Sequence, residues 1–440
     1  MVIFRTLAAF ITCVVTSLAV PALAENGPVF RQADLTPADG YRVDRVVIVY
    51  RHGLRAPLDT EIGALEYSKE PWPVWATANA ELTPHGREAL RLMGQYDRAL
   101  FNKLGLLQPT NCPDSDDLLI YSDSDSRSIG SGNELREGLA PGCQIMVQHK
   151  EAGAPDLTFT ANAPGAAPFD GNAALRSINS YTHGGPGVLA AQTREQTRIL
   201  EEILGCRQPS GSDQECDISA VPSQLSADEH GIGLTGPIMI TSGTAEVLLL
   251  EYAEGMPMSE VGWGRADLAK LTAISRLHAL LFDIFDRSPY MARRTAAEMA
   301  PRIRALLTGS DEPKVTLLVG HDNNIAALTS LLGTSFQIPS YGRDDPPVGG
   351  GLGFLLLTDT SSGKQFVQLF YHAQTLDQMR DLTSLSLKSP PATQILSPKC
   401  AKGPEHLCSL DDLAGLLTWP GQRSFHERAN AKEAGSDLQS

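Results

Sequence analysis

Three short segments of this 440-residue chain hold side chains that could bind a tetrahedral anion and attack it: Arg51-His52-Gly53-Leu54-Arg55-Ala56-Pro57, the Arg127 that closes Asp123-Ser124-Asp125-Ser126-Arg127, and Gly320-His321-Asp322. Guanidinium forks bind phosphate oxygens bidentately and stay charged at any working pH. A histidine among arginines can attack phosphorus as the neutral imidazole, forming a covalent phosphoenzyme and splitting the transfer into two easier steps. Charge developing on the equatorial oxygens then meets preorganised cations. A leaving alkoxide needs a proton. Asp322 is the carboxyl group on offer, provided its pKa is raised or the reaction runs in acid. The scheme calls for no cofactor and no metal, and no metal-ligand spacing such as His-Glu-x-x-His is present. A serine hydrolase is disfavoured because no Gly-x-Ser-x-Gly elbow occurs. Taken singly, Arg51-His52 could cap a strand, Asp322 could favour a helix dipole and Arg127 could face solvent; their combination carries the chemistry.

These segments follow three runs that read as buried strands: Val43 to Tyr50, Leu118 to Tyr121 and Val315 to Val319. Near-continuous apolar runs mark central parallel strands covered on both faces. In an open α/β sheet the site forms beyond the carboxyl ends of such strands. A helix is expected from about Asn324 to Leu332, stopped by Gly333. Leu352–Leu357 and Gln365–Tyr371 flank an Asp-Thr-Ser-Ser-Gly turn and read as a hairpin at one side of the sheet. Leu189–Leu204, Ile238–Glu254 and Asp267–Phe285 have helical apolar spacing. The expected architecture is therefore α/β, a mixed, mostly parallel sheet sandwiched by helices, with an inserted α-helical cap domain. The α/β part would span 25–160 and 300–420, the cap 161–299, and a polar tail 421–440.

The formal charge of −15 and pI near 5.1 argue against a nucleic-acid partner, which needs a basic surface. Residues 1–24 carry Arg5, an apolar run from Leu7 to Val20 and a terminal Ala-Leu-Ala, the pattern of a secretory signal cleaved before Glu25. No later run is long enough to span a bilayer, so no membrane anchor is expected after cleavage and the protein should be periplasmic or secreted. Cys13 would leave with the signal. The remaining six cysteines suit three disulfides in an exported chain. Cys206–Cys216 and Cys400–Cys408 each close a short polar loop, which leaves Cys112 with Cys143.

Tyr50 to Pro57, Gly320-His321-Asp322-Asn323 and Asp123 to Arg127 together resemble the motifs of the histidine acid phosphatases, within the superfamily that includes phosphoglycerate mutases. The resemblance extends over nearly the whole mature chain, through Leu82-Thr83-Pro84-x-Gly86, Leu234-Thr235-Gly236, Gly255-Met256-Pro257, Trp263-Gly264-Arg265 and Pro346-Pro347-x-Gly349-Gly350. It is similar to the bacterial periplasmic phytases and glucose-1-phosphatases. The resemblance implies His52 as phosphorylated nucleophile, Asp322 as proton donor, and Arg51, Arg55, Arg127 and His321 as phosphate holders, in a phosphoglycerate mutase-like fold. The implied partner is a small-molecule phosphate monoester, and the protein is expected to be a monomer or dimer. Phytases of the group tend to follow the first motif with Thr-Lys, whereas Leu58 and Asp59 stand here, and Asp59 should repel a polyanion. Two alternatives remain open: a phytase proper acting on inositol hexakisphosphate, and a periplasmic phosphate-ester binding protein without turnover.

Overall fold

The computed structural model describes residues 30–61, 67–109, 111–114, 116–160, 168–206, 216–420 and 422. The expected signal lies outside the described residues, as does the tail apart from Gln422. Among the described residues ten strands run in chain order as β1 Tyr41–Arg51, β2 Leu118–Ser122, β3 Val147–Gln148, β4 Gln224–Ala227, β5 Ile232–Thr235, β6 Val315–Gly320, β7 Gly351–Asp359, β8 Gln365–Ala373, β9 Ala392–Leu396 and β10 Cys408–Ser409. The α-helices are α1 Pro84–Lys103, α2 Ser126–Leu139, α3 Gly171–Tyr181, α4 Pro186–Gln192, α5 Arg194–Leu204, α6 Pro237–Ala253, α7 Leu268–Phe285, α8 Pro289–Thr295, α9 Met299–Thr308, α10 Asp322–Leu332, α11 Leu376–Arg380 and α12 Leu410–Leu416.

The main sheet is mixed, ordered β10-β8-β7-β1-β6-β2-β3, with β9 also on β8. Its halves differ. β1, β6, β2 and β3 pair in parallel, whereas β7 runs antiparallel to β1 and leads into the antiparallel β7–β8 hairpin. The reason lies in the connections. Parallel neighbours need a covering crossover such as α2 between β2 and β3, while the turn after Asp359 lets β7 fold straight back as β8. β1 sits between β6 and β7, and Val46 to Tyr50 are fully buried. Burying such a side chain contributes about 1.5–3 kcal/mol, so this strand anchors whatever follows its C-terminal end.

Residues 168–309 are mainly helical, as their spacing predicts. The run Leu189–Leu204 is divided at Thr193 into α4 and α5, and a β4–β5 hairpin is added that its polar, glycine-bearing sequence does not announce. α6 is buried on nearly its whole circumference, consistent with its Val-Leu-Leu-Leu composition. The Trp263-Gly264-Arg265 segment ties the loop at residues 70–72 to this region: Trp263 donates its indole N–H to the Pro71 carbonyl and Arg265 forms a two-pronged pair with Glu70. Disulfides join Cys112–Cys143, Cys206–Cys216 and Cys400–Cys408, the pairing expected. No helix among the described residues is long and apolar enough to cross a membrane.

Candidate active site

The sheet register brings the three motifs together. Arg51 at the end of β1 is opposite Gly320 of β6, and Ser122 of β2 is opposite Val319. The parallel strands therefore end at one edge, and each chain leaves it carrying a functional side chain. The His52 N–H donates to the Gly320 carbonyl at 2.8 Å and the Asp123 N–H to that of Val319 at 2.8 Å, extending the ladder one residue into the site. The loop after β1 is fixed by α1: the Thr83 N–H donates to the Leu54 carbonyl, and a Cβ on Gly86 would meet that same oxygen at 2.1 Å, so only glycine admits the loop there. The Leu-Thr-Pro-x-Gly motif thus seats the loop that carries His52 and Arg55 by direct backbone contact.

His52 is 2% exposed. Its Nδ1 is 2.9 Å from the Gly53 carbonyl oxygen. A carbonyl can only accept, so Nδ1 carries the hydrogen and Nε2 presents its lone pair. Burial, with the guanidiniums of Arg127, Arg55 and Arg51 and the ring of His321, pushes the imidazole well below the usual histidine range. The imidazole is therefore neutral, with the Nε2 lone pair available. The His321 ring stands edge-on to it with centroids 5.6 Å apart. His321 Nε2 is held 2.6 Å from Asp123 Oδ2, and the His321 backbone N–H donates to Asn324 Oδ1, whose Nδ2 donates in turn to the Phe159 carbonyl.

The three arginines each rest on a carboxylate. Arg51 is 1% exposed, contacts Glu246 and Asp322 through Nη2 and donates to the Pro346 carbonyl through Nη1. Arg55, 2% exposed, is gripped by both oxygens of Glu61. Arg127 pairs with Asp125 at 2.6 Å. In all three the Nε–H is buried and without a partner. A buried charged donor left unpaired is costly, and three such donors around one histidine form a site for an oxyanion.

Asp322 opens α10, its Oδ1 accepting from the Asn323 N–H and its Oδ2 lying 2.9 Å from Arg51. Burial pulls this carboxyl up, but Arg51, His278, His321 and Arg55 outweigh it and hold it at about 2. With no substrate bound, Asp322 is therefore an anion, whereas a proton donor must be protonated when it acts. A cavity of about 300 Å³ borders its neighbour Asn323, lined also by Asp286, Phe285, Ile232 and His230.

The structure brings Arg51, His52, Arg55, Arg127, His321 and Asp322 together, and adds a layer that sequence motifs did not reveal. Glu246 of α6, His278 of α7 and Asp345 form a buried chain behind Arg51: His278 Nδ1 is 3.5 Å from Glu246 and 2.6 Å from Asp345. Burial opposes charge on His278, but the two carboxylates prevail and push it up to about 9. A partial signal existed in Glu246, one of two carboxylates (with Glu251) in the mostly apolar α6, since a buried carboxylate must either find a cation or take up a proton. Asp123, Asp125 and His321 place one ligand atom each within 4.8 Å of one another, the one such grouping among the described residues; His321 and Arg127 already occupy the carboxylates.

Comparisons with known proteins agree with this geometry. A sequence profile of the histidine phosphatase superfamily (branch 2) matches residues 42–162. The chain is 32% identical over 369 residues to phytase AppA of Escherichia coli (strain K12), covering 80% of this chain and 85% of that one. It is 31% identical over 400 residues to a glucose-1-phosphatase of Salmonella typhimurium, covering 88% and 94%. The apo form of Hafnia alvei phytase superposes with a TM-score of 0.81 at 29% identity, covering 87% of this chain and 97% of that one. With these motifs, this sheet and relatives matched along most of their length, the chain belongs to branch 2 of the histidine phosphatase superfamily and is a phosphatase.

Proposed function

We propose that the chain is an exported acid phosphatase that hydrolyses phosphate monoesters of small polyols, sugar phosphates or phytate, through a phosphohistidine at His52. The observation that carries the reading is the set of three buried, unpartnered Nε–H groups of Arg51, Arg55 and Arg127 around the free Nε2 of a neutral histidine. The phosphoryl group binds on these arginines and His321. Nε2 of His52 forms a bond to phosphorus, and the bond from phosphorus to the ester oxygen breaks. The departing oxygen takes a proton from Asp322. Water then attacks the phosphohistidine, giving its proton to the Asp322 carboxylate, and phosphate leaves with His52 restored.

Asp322 acquires its proton through the substrate. A phosphate monoester entering as the monoanion brings one proton, and its oxygens engage the Arg51 charge that holds Asp322 down. Burial then favours the neutral carboxyl. Acidic conditions supply more of the monoanion. Export is supported by three disulfides, which persist in oxidising compartments. The helical region at 161–299 acts as a cap over the α/β part, contributing Glu246 and His278 to the support of Arg51.

The test is inorganic phosphate release at acidic pH from glucose 1-phosphate, phytate and an aryl phosphate in parallel, with His52→Ala as control. Release by the wild type and none by the variant is expected. Binding of all three with no release would instead favour a phosphate-ester binding protein.

A further inference from the structure

We propose that Glu61 is the positioning residue for Arg55, and that helix α6 seats the loop bearing it through Gly243; the proposal rests on the phosphate-binding part of the function proposed above. Arg55 reaches the pocket from an irregular loop, so neither sheet nor helix fixes its guanidinium. Glu61 does so by chelation. Nη1 donates to Glu61 Oε2 at 2.8 Å and Nη2 to Oε1 at 2.5 Å, while Nη1 also reaches the Ala56 carbonyl at 3.2 Å. The carboxylate thereby covers the edge between the two terminal nitrogens. The Nε–H edge stays clear, and its donor is buried and unpartnered. A guanidinium offers a second fork along that edge, so Glu61 dictates which face of Arg55 a phosphate meets.

Glu61 is placed in turn by two contacts. Its Oε2 accepts from the Leu58 N–H at 2.8 Å, closing the loop on itself. Its backbone lies against α6, where a Cβ on Gly243 would stand 2.8 Å from the Glu61 Cα. Glycine in a helix interior costs about 1 kcal/mol relative to alanine; here it admits the loop. One turn further along, Glu246 holds Arg51, so a single helix aims two of the three arginines.

The experiment compares full-length wild type with Glu61→Gln, Glu61→Ala and Gly243→Ala. It measures orthophosphate affinity by calorimetry, kcat and KM for an aryl phosphate and glucose 1-phosphate, and Tm. Charge-assisted hydrogen bonds contribute about 1.5–3 kcal/mol, so Glu61→Ala should weaken orthophosphate by about 10- to 100-fold. KM should rise in parallel for both esters, because the leaving group is not involved. Glu61→Gln should fall between, since its amide oxygen still accepts from Arg55. Gly243→Ala should raise KM and weaken phosphate while Tm holds or rises, an outcome a merely structural role for the loop would not give. Unchanged phosphate affinity in both Glu61→Ala and Gly243→Ala would overturn the proposal. Tighter phosphate in Glu61→Gln would also overturn it, by making Glu61 a competitor of the substrate. Calorimetry reads the Arg55 pocket without turnover, so wild-type binding with no phosphate release would defeat the phosphatase reading and leave this one standing.

Discussion

Replacing Asp322 with asparagine separates the proton from the geometry. Asparagine is nearly isosteric, its oxygen can still accept from the Asn323 N–H, and Arg51 keeps Glu246. Phosphate affinity should therefore change only a few-fold. What is lost is the acid. In the empty site the carboxyl sits at about 2, so at pH 5 only about 1 molecule in 10³ carries the proton, an unfavourable balance of about 4 kcal/mol. The bound phosphoryl group must reverse that balance, and general acid catalysis of this kind contributes about 10²–10⁴ in rate. On glucose 1-phosphate or another alkyl ester, whose alkoxide cannot leave unaided, kcat should fall by about that factor. On an aryl phosphate with a good phenolate leaving group, the fall should stay under about tenfold, since little protonation is needed. Steady-state kinetics on a graded series of aryl and alkyl esters gives the comparison. The wild type should also lose alkyl-ester activity as pH rises and the substrate monoanion disappears, whereas the variant should not show that loss. Equal losses on both ester classes would refute the proton-donor assignment.

Two further outcomes follow from the buried groups and the disulfides. Burial pushes Asp97, Glu251 and Asp286 up to about 8, against ordinary carboxyl values near 4 in the unfolded chain. The native state holds these protons more tightly, so this stabilisation is complete in acid and is lost as pH rises toward 8. His372, pushed by burial down to about 3, works in the opposite direction but only below about 6.5. Stability to urea should thus decline from pH 6.5 to 8, and Asp97→Asn should flatten the decline by up to about 1.4 kcal/mol per pH step; an identical slope would show that Asp97 titrates normally. Replacing Cys112 and Cys143 with serine should cost about 2–4 kcal/mol, because their bridge closes the longest of the three disulfide loops, with a sequence separation of 31, and an unchanged urea midpoint would contradict this.

The parts of the site legible from sequence are those in which chemistry and local structure share one short segment. Arg51, His52 and Arg55 follow an apolar strand, and His321 and Asp322 stand between a strand and a helix with a glycine stop. Strand period and turn residues therefore locate them. Glu61 and Gly243 were illegible for a different reason: one lies in a loop and the other in a helix, and only tertiary packing puts them in contact. Glu246, His278 and Asp345 belong to the same class, being far apart in sequence and joined only by burial. The β4–β5 hairpin escaped because its strands, Gln224–Ala227 and Ile232–Thr235, alternate in exposure over only four residues each, too short a run to stand out as a period. The division of Leu189–Leu204 escaped too, since the apolar spacing continues across Thr193 while the backbone there leaves the helix.

Covalent catalysis by His52 would leave a phosphoryl group on its ring, and the decisive experiment traps that intermediate. Rapid mixing with an aryl phosphate, quenching in alkali, where phosphohistidine survives, and peptide mass spectrometry would locate the phosphoryl group. One phosphoryl group is expected on the peptide containing His52, on that ring, and none in His52→Ala. A wild type that turns over many substrate equivalents with no phosphoryl group on His52, or a His52→Ala variant that retains turnover, would contradict it.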